Sequence, residues 1–131
     1  MIKVYKKKRY KKQNLNVNFE TIIFVNIQKG NIIISITNMK GDIINWFSSG
    51  CLKLKGFRKG SPLAAKLMSN CLVDRLQNYN IKKFVLKIRG QGLIKKMFLK
   101  YLALTKLNIL KLYDISNIAF NGCKKQKQRK L

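Results

Sequence analysis

The sequence predicts an α/β (α+β) fold: one mixed five-stranded sheet, element order βββαβαβ, with helices packed on it. Two patterns predict it. Three β-branched and aromatic runs follow one another with only tight-turn signals between them, which reads as an antiparallel meander. After them, helical periodicity alternates with short apolar runs, which implies crossover connections and a sheet of mixed direction. Hydrophobic residues make up 47% of the 131 positions, enough for a core. A chain of this length is expected to form one domain.

The elements follow in order. Thr21-Ile22-Ile23-Phe24-Val25-Asn26-Ile27 is β-branched and aromatic, hence a strand. Lys29-Gly30-Asn31 is a turn, and Ile32-Ile33-Ile34-Ser35-Ile36-Thr37 is the second strand. Asn38-Met39-Lys40-Gly41-Asp42 turns the chain again, with Gly41 suited to positive φ. Ile43-Ile44-Asn45-Trp46-Phe47-Ser48 is the third strand, with Trp46 expected in the core because its neighbours are apolar. Ser61-Pro62 is a helix start: the serine caps, and proline at the first helical position loses no needed hydrogen bond. Ala64, Met68, Cys71, Leu72, Leu76 and Tyr79 recur at helical spacing through to Asn80. Lys82 to Arg89, with Phe84, Val85, Leu86 and Ile88, is a fourth strand. Gly90-Gln91-Gly92 is a loop, Ile94 to Leu107 a second helix, Asn108 to Ile115 a fifth strand and Ile118 to Gly122 a loop.

Charge sets the functional expectation. There are 29 Lys+Arg against 4 Asp+Glu and no His, a formal charge of +25. A chain this basic repels itself and calls for a polyanion. The charge is segmental. A basic arm, residues 1–18, holds Lys6, Lys7, Lys8 and Arg9, with Tyr5 and Tyr10 between cations as candidate base-stacking groups. It is expected to be disordered alone. The folded domain is expected over 19–122. A second basic tail, 123–131, holds Lys124, Lys125, Lys127, Arg129 and Lys130.

Between strand three and the first helix lies a glycine-spaced basic loop with Lys53, Lys55, Gly56, Arg58, Lys59, Gly60 and Ser61. This is the best candidate RNA site. Glycine lets backbone approach phosphate, and the cations sit at a helix N-terminus. Arg58 is favoured over Lys59, because guanidinium bridges phosphate bidentately or stacks on a base. Arg89, Gly90, Gly92, Lys95 and Lys96 form a second candidate around the later loop. There the glycines either cradle a phosphate or simply turn a strand into a helix.

Other classes are disfavoured. General acid–base catalysis needs His or tuned carboxylates. Here Glu20, Asp42, Asp74 and Asp114 are spread over a strand start, a turn, a helix and a strand end. No apolar run approaches the roughly 20 residues of a spanning helix, and the N-terminus does not read as a signal peptide. Cys51, Cys71 and Cys123 are odd in number and far apart, which fits neither a disulfide framework nor a zinc site. Cys123 is expected to be a packed small residue. No metal, cofactor or small-molecule substrate is expected. A nucleoid or RNA-chaperone-like protein and a membrane-active cationic protein are the competing readings.

Several stretches together resemble the ribosomal protein S11 family, the universal platform protein of the small ribosomal subunit. Asn31 to Thr37, then Gly41-Asp42 and Trp46, resemble its second strand, turn and third strand. Gly56-Phe57-Arg58-Lys59-Gly60-Ser61-Pro62-Leu63-Ala64-Ala65 resembles its basic loop and helix start, and Trp46 and Pro62 keep the family's separation. Tyr79-Asn80-Ile81-Lys82 resembles the helix end, and Asn121-Gly122-Cys123 the C-terminal signature. The resemblance covers roughly Thr21 to Leu131. It implies a ribonuclease-H-like architecture, without the carboxylate cluster that a nuclease needs to hold Mg²⁺. It also implies RNA contact at Asn121 and Gly122, small-subunit rRNA and neighbouring platform proteins as partners, and a place near the mRNA exit path.

The sequence departs from the family in three places. Gly90-Gln91-Gly92-Leu93-Ile94-Lys95-Lys96 stands where the family has Gly-Pro-Gly-Pro-Gly-Arg-Glu. The C-terminal tail lacks the usual paired prolines. Cys51, Leu52 and Lys53 replace small residues. With the excess of Lys, Asn and Ile, whose codons are AT-rich, and no Arg- and Ser-rich presequence, these departures point to an organelle-encoded protein. A mitochondrion is expected, with a plastid-type organelle or an AT-rich bacterium as alternatives.

Overall fold

The computed structural model describes residues 21–128. The arm at 1–18, the domain start at 19, Glu20, and Arg129 and Lys130 of the tail lie outside the described residues.

Five strands form a single sheet in the order β3-β2-β1-β4-β5. They are β1 (Thr21–Gln28), β2 (Asn31–Thr37), β3 (Ile43–Ser48), β4 (Lys83–Arg89) and β5 (Asn108–Asp114). β1 pairs antiparallel with β2, and β2 with β3, while β1–β4 and β4–β5 are parallel. So β2 alone runs against the rest, and the expected mixed sheet is found. The first helix, α1 (Pro62–Asn78), crosses from the β3 edge to β4. The second, α2 (Leu93–Leu104), connects β4 to β5.

One face of the sheet is the core. Along β1, Ile23, Val25 and Ile27 are buried; along β2, Ile32, Ile34 and Ile36; along β4, Phe84, Leu86 and Ile88. The alternation follows from the two-residue period of a strand. Against this face α1 sets Ala64, Ala65, Met68, Leu72 and Leu76, and α2 sets Phe98 and Leu102. The small Ala64-Ala65 pair lets the start of α1 approach the sheet closely. Ser61 caps as expected, its side chain accepting from the Ala64 N–H at 3.2 Å.

Three expectations are corrected. Trp46 is 60% exposed, not in the core. Phe47 and Asn45 face inward instead, Asn45 donating to the Tyr79 hydroxyl at 2.9 Å and accepting from Arg75 at 2.9 Å. In the run Ile43–Phe47 both faces carry apolar residues, so parity could not be read from hydrophobicity. Cys123 is exposed rather than packed. Helix α2 ends at Leu104, not Leu107, and the chain turns at Thr105-Lys106 with Lys106 at φ 51°. The end of β5 is tied by the Ile115 N–H to the Ile88 carbonyl at 2.8 Å.

Candidate nucleic-acid interface

The parallel pairing of β1 with β4 puts Gln28 and Arg89 at the same end of the sheet. Both glycine loops close over that end. A Cβ on Gly60 would overlap the Lys29 carbonyl of the β1–β2 turn, and a Cβ on Gly90 would overlap the carbonyl of Ile27. The glycines are therefore needed for backbone-on-backbone packing, and Gly90 also holds φ 131°. Each loop feeds straight into a helix, so the N-termini of α1 and α2 both lie at this end. Neither first turn holds an acidic residue. Two positive helix ends thus converge among cations.

The first loop is held by its own alternation. Two 3-10 turns, Ser49–Leu52 and Gly56–Gly60, build it. Buried Ser49 donates to Asn31 Oδ1 at 2.6 Å and accepts from the Ile32 N–H at 3.4 Å, which pins the loop to the start of β2. Leu52 and Leu54 pack against the core while Lys53 and Lys55 stay exposed. The Arg58 carbonyl accepts from the Ser61 hydroxyl at 2.8 Å, fixing the backbone beneath an exposed guanidinium. Lys59 is half-buried and Phe57 is 90% exposed beside it. Ser48 lies 3.6 Å from Cys51 Sγ, and hydrogen bonding to Ser48 lowers that thiol's pKa.

The second loop is arranged differently. Gly90 donates its N–H to Ser116 at 3.1 Å and accepts from the same hydroxyl at 2.8 Å, so both its backbone groups are engaged. Lys95 forms an ion pair with Asp114 and reaches Ser116 at 3.2 Å; its side chain is 17% exposed. The Lys95 hydrogen bond, followed by those from Ser116, holds the Asp114 pKa down to about 2. Gly92 caps α2 without a side-chain hydrogen bond, which leaves the first N–H groups of that helix uncapped. Arg89 and Lys96 are exposed.

Beyond β5 the chain is irregular, and Asn121, Gly122, Lys124, Lys125 and Lys127 are all exposed. Sequence reasoning missed two features. Lys29, exposed in the turn under Gly60, adds a cation to the loop-side cluster, and the only signal was its place in a turn. The Lys95–Asp114 pair links α2 to β5 and had no local signal. Arg75 is committed elsewhere, 4.9 Å over the Phe47 ring. Among the described residues no group of His, Cys, Asp and Glu side chains gathers where it could hold a metal ion, and no helix is long and apolar enough to cross a membrane.

Fold and site define a class: a strongly basic α/β protein that presents cations from loops at one end of its sheet. The family model described as ribosomal protein S11 matches residues 21–130. The chain belongs to the ribosomal protein S11 family. Among its relatives, small ribosomal subunit protein uS11 of Desulfotalea psychrophila is 31% identical over 128 residues, covering 95% of this chain and 97% of that protein. The protein of the same name from Treponema pallidum is 28% identical over 125 residues, covering 95% and 97%. That from Buchnera aphidicola of Cinara cedri is 31% identical over 125 residues, covering 95% and 93%.

Proposed function

We propose that this chain is a structural constituent of the small ribosomal subunit. It binds small-subunit rRNA in the platform, near the mRNA exit path, and supports translation by holding RNA in shape. The observation that carries the reading is the convergence of Lys29, Lys53, Lys55, Arg58 and both helix N-termini at one sheet end, where the carboxylate of Asp114 is already paired. Phosphates are the natural ligand of such an end. The relatives' shared name, small ribosomal subunit protein, supports the assignment to that subunit. The mechanism is electrostatic and architectural. Lys53, Lys55, Arg58 and Lys59 contact phosphates, with Arg89 and Lys96 on the second loop and Lys124, Lys125 and Lys127 along the tail. The arm with Lys6, Lys7, Lys8 and Arg9, and Arg129 and Lys130 at the other end, extend the same contact between RNA helices. Other platform proteins are its neighbours.

The reading extends to location. The excess of Lys, Asn and Ile and the altered loop at Gly90 to Lys96 favour an organelle-encoded, mitochondrial version of a family whose named relatives here are bacterial. Mapping the coding sequence to a chromosome tests that part. Sucrose-gradient sedimentation of cell extract tests the main claim. The chain is expected to travel with the small subunit at low and moderate salt. Recovery only in light fractions, with intact small subunits elsewhere in the gradient, would refute a ribosomal role and favour a free nucleic-acid-binding protein.

A further inference from the structure

The helices cover one face of the sheet; the opposite face carries a second pattern that the loops do not use. Pairing registers align Trp46 on β3, Ser35 on β2, Phe24 on β1, Lys87 on β4 and Tyr113 on β5 in one row across all five strands. Trp46 is 60% exposed and Tyr113 45% exposed. The Lys87 ammonium lies 5.3 Å from the centre of the Phe24 ring, which fixes both on this face. The three aromatics are therefore spaced two strands apart, about 10 Å. On one side of the row lie Asn26 and Arg89; on the other, Val85 and Lys111. None of these paired positions is acidic.

We propose that this open face is a second RNA site, distinct from the loop end, where single-stranded RNA lies across the strands and stacks its bases on exposed Trp46 and Tyr113, with Phe24, half-buried under Lys87, between them. Lys87 and Lys111 sit between and beside the rings, where the linking phosphates run, and Arg89 lies where this face meets the loop end. Aromatic stacking tolerates any base, so the site reads single-strandedness rather than sequence. Charge decides the occupant: a face whose paired rows hold Lys87, Arg89 and Lys111, with Asp114 at its edge already paired to Lys95, suits a polyanion, and the exposed rings of Trp46 and Tyr113 suit one that carries free bases. A duplex offers phosphates but no splayed bases, so it belongs to the loop end.

Trp46 is the only tryptophan of the chain, so its fluorescence reports on this face alone. The test titrates the full chain with ten-nucleotide oligouridylate at about 0.3 M salt, where phosphate contacts are weakened and stacking is kept. Stacking predicts quenching of Trp46. Tyr113→Ala and Lys87→Gln should each weaken the oligouridylate affinity read by that quenching, Tyr113→Ala by roughly fivefold or more. Trp46→Ala, followed by anisotropy of labelled oligouridylate, should lose affinity to a similar degree. Circular dichroism should show the wild-type fold in all three. Arg58→Ala/Lys59→Ala should keep the quenching while losing affinity for duplex RNA, so this site and the loop site fail separately. Absence of quenching, or affinities unchanged by all three substitutions, would overturn the proposal. Quenching by a glutamate-rich peptide but not by oligouridylate would overturn it in favour of an acidic protein partner.

Discussion

The loops at 49–61 and 90–96 make the same connection, from a strand end to a helix N-terminus at one end of the sheet, and use their residues in opposite ways. In the first, apolar Leu52 and Leu54 hold the loop down beside the Ser49 hydrogen bonds, so Lys53, Lys55 and Arg58 stay exposed. In the second, the holding is done by a polar knot of Gly90, Lys95, Asp114 and Ser116, so its first lysine is consumed by structure. The difference shows that counting lysines measures charge present, not charge on offer. It also separates two duties of glycine: Gly60 and Gly90 serve packing, whereas Gly56 has open space around it.

The sharpest way to break this comparison is through the glycines. Gly90→Ala places a methyl group on the Ile27 carbonyl at a φ that disfavours side chains, and should cost about 3 kcal/mol or more in urea unfolding. Gly56→Ala, strained only by its φ of 52°, should cost about 1 kcal/mol. Equal effects would mean that the sheet contact at Gly90 is not formed.

Smaller effects probe the lysines. Lys96→Ala should lower RNA affinity and reduce the log–log salt slope by roughly one, the value for one lost phosphate contact. Lys95→Ala should leave that slope nearly unchanged, because its ammonium already faces Asp114. A larger slope change for Lys95 than for Lys96 would reverse the assignment.

The smallest effect is in acid. Asp114 is held at about 2 against an ordinary 3.8, so its carboxylate is favoured by folding. That contribution is complete above the ordinary value and is lost as pH falls from 3.8 to about 2. Asp114→Asn should therefore flatten the acid limb of the stability curve in that window. Because the group is exposed, only the shape of the curve is diagnostic.

Much of the fold was legible because local signals agreed with tertiary structure. Ser61-Pro62 both caps and starts α1, and the Ile-rich runs of β1 and β2 alternate as a one-sided sheet must. Trp46 was misread because β3 is an edge strand, apolar on both faces, and the choice of core face is made by Phe47 and Asn45 meeting α1. The candidate site was legible only as a set of basic segments. Their meeting was not, because the contact of Gly60 with Lys29 and the pairing of Lys95 with Asp114 join residues far apart in sequence. The loop alone gave no reason to include Lys29.

The central claim is that the sheet end, and above all the first loop, touches phosphate. The most direct test is the salt dependence of binding to a structured small-subunit rRNA fragment by the full chain and by Arg58→Ala/Lys59→Ala. The account predicts that the double substitution weakens binding, flattens the slope by roughly two and leaves unfolding unchanged. A slope identical to that of the unaltered chain would contradict it, since those cations would then face no phosphate.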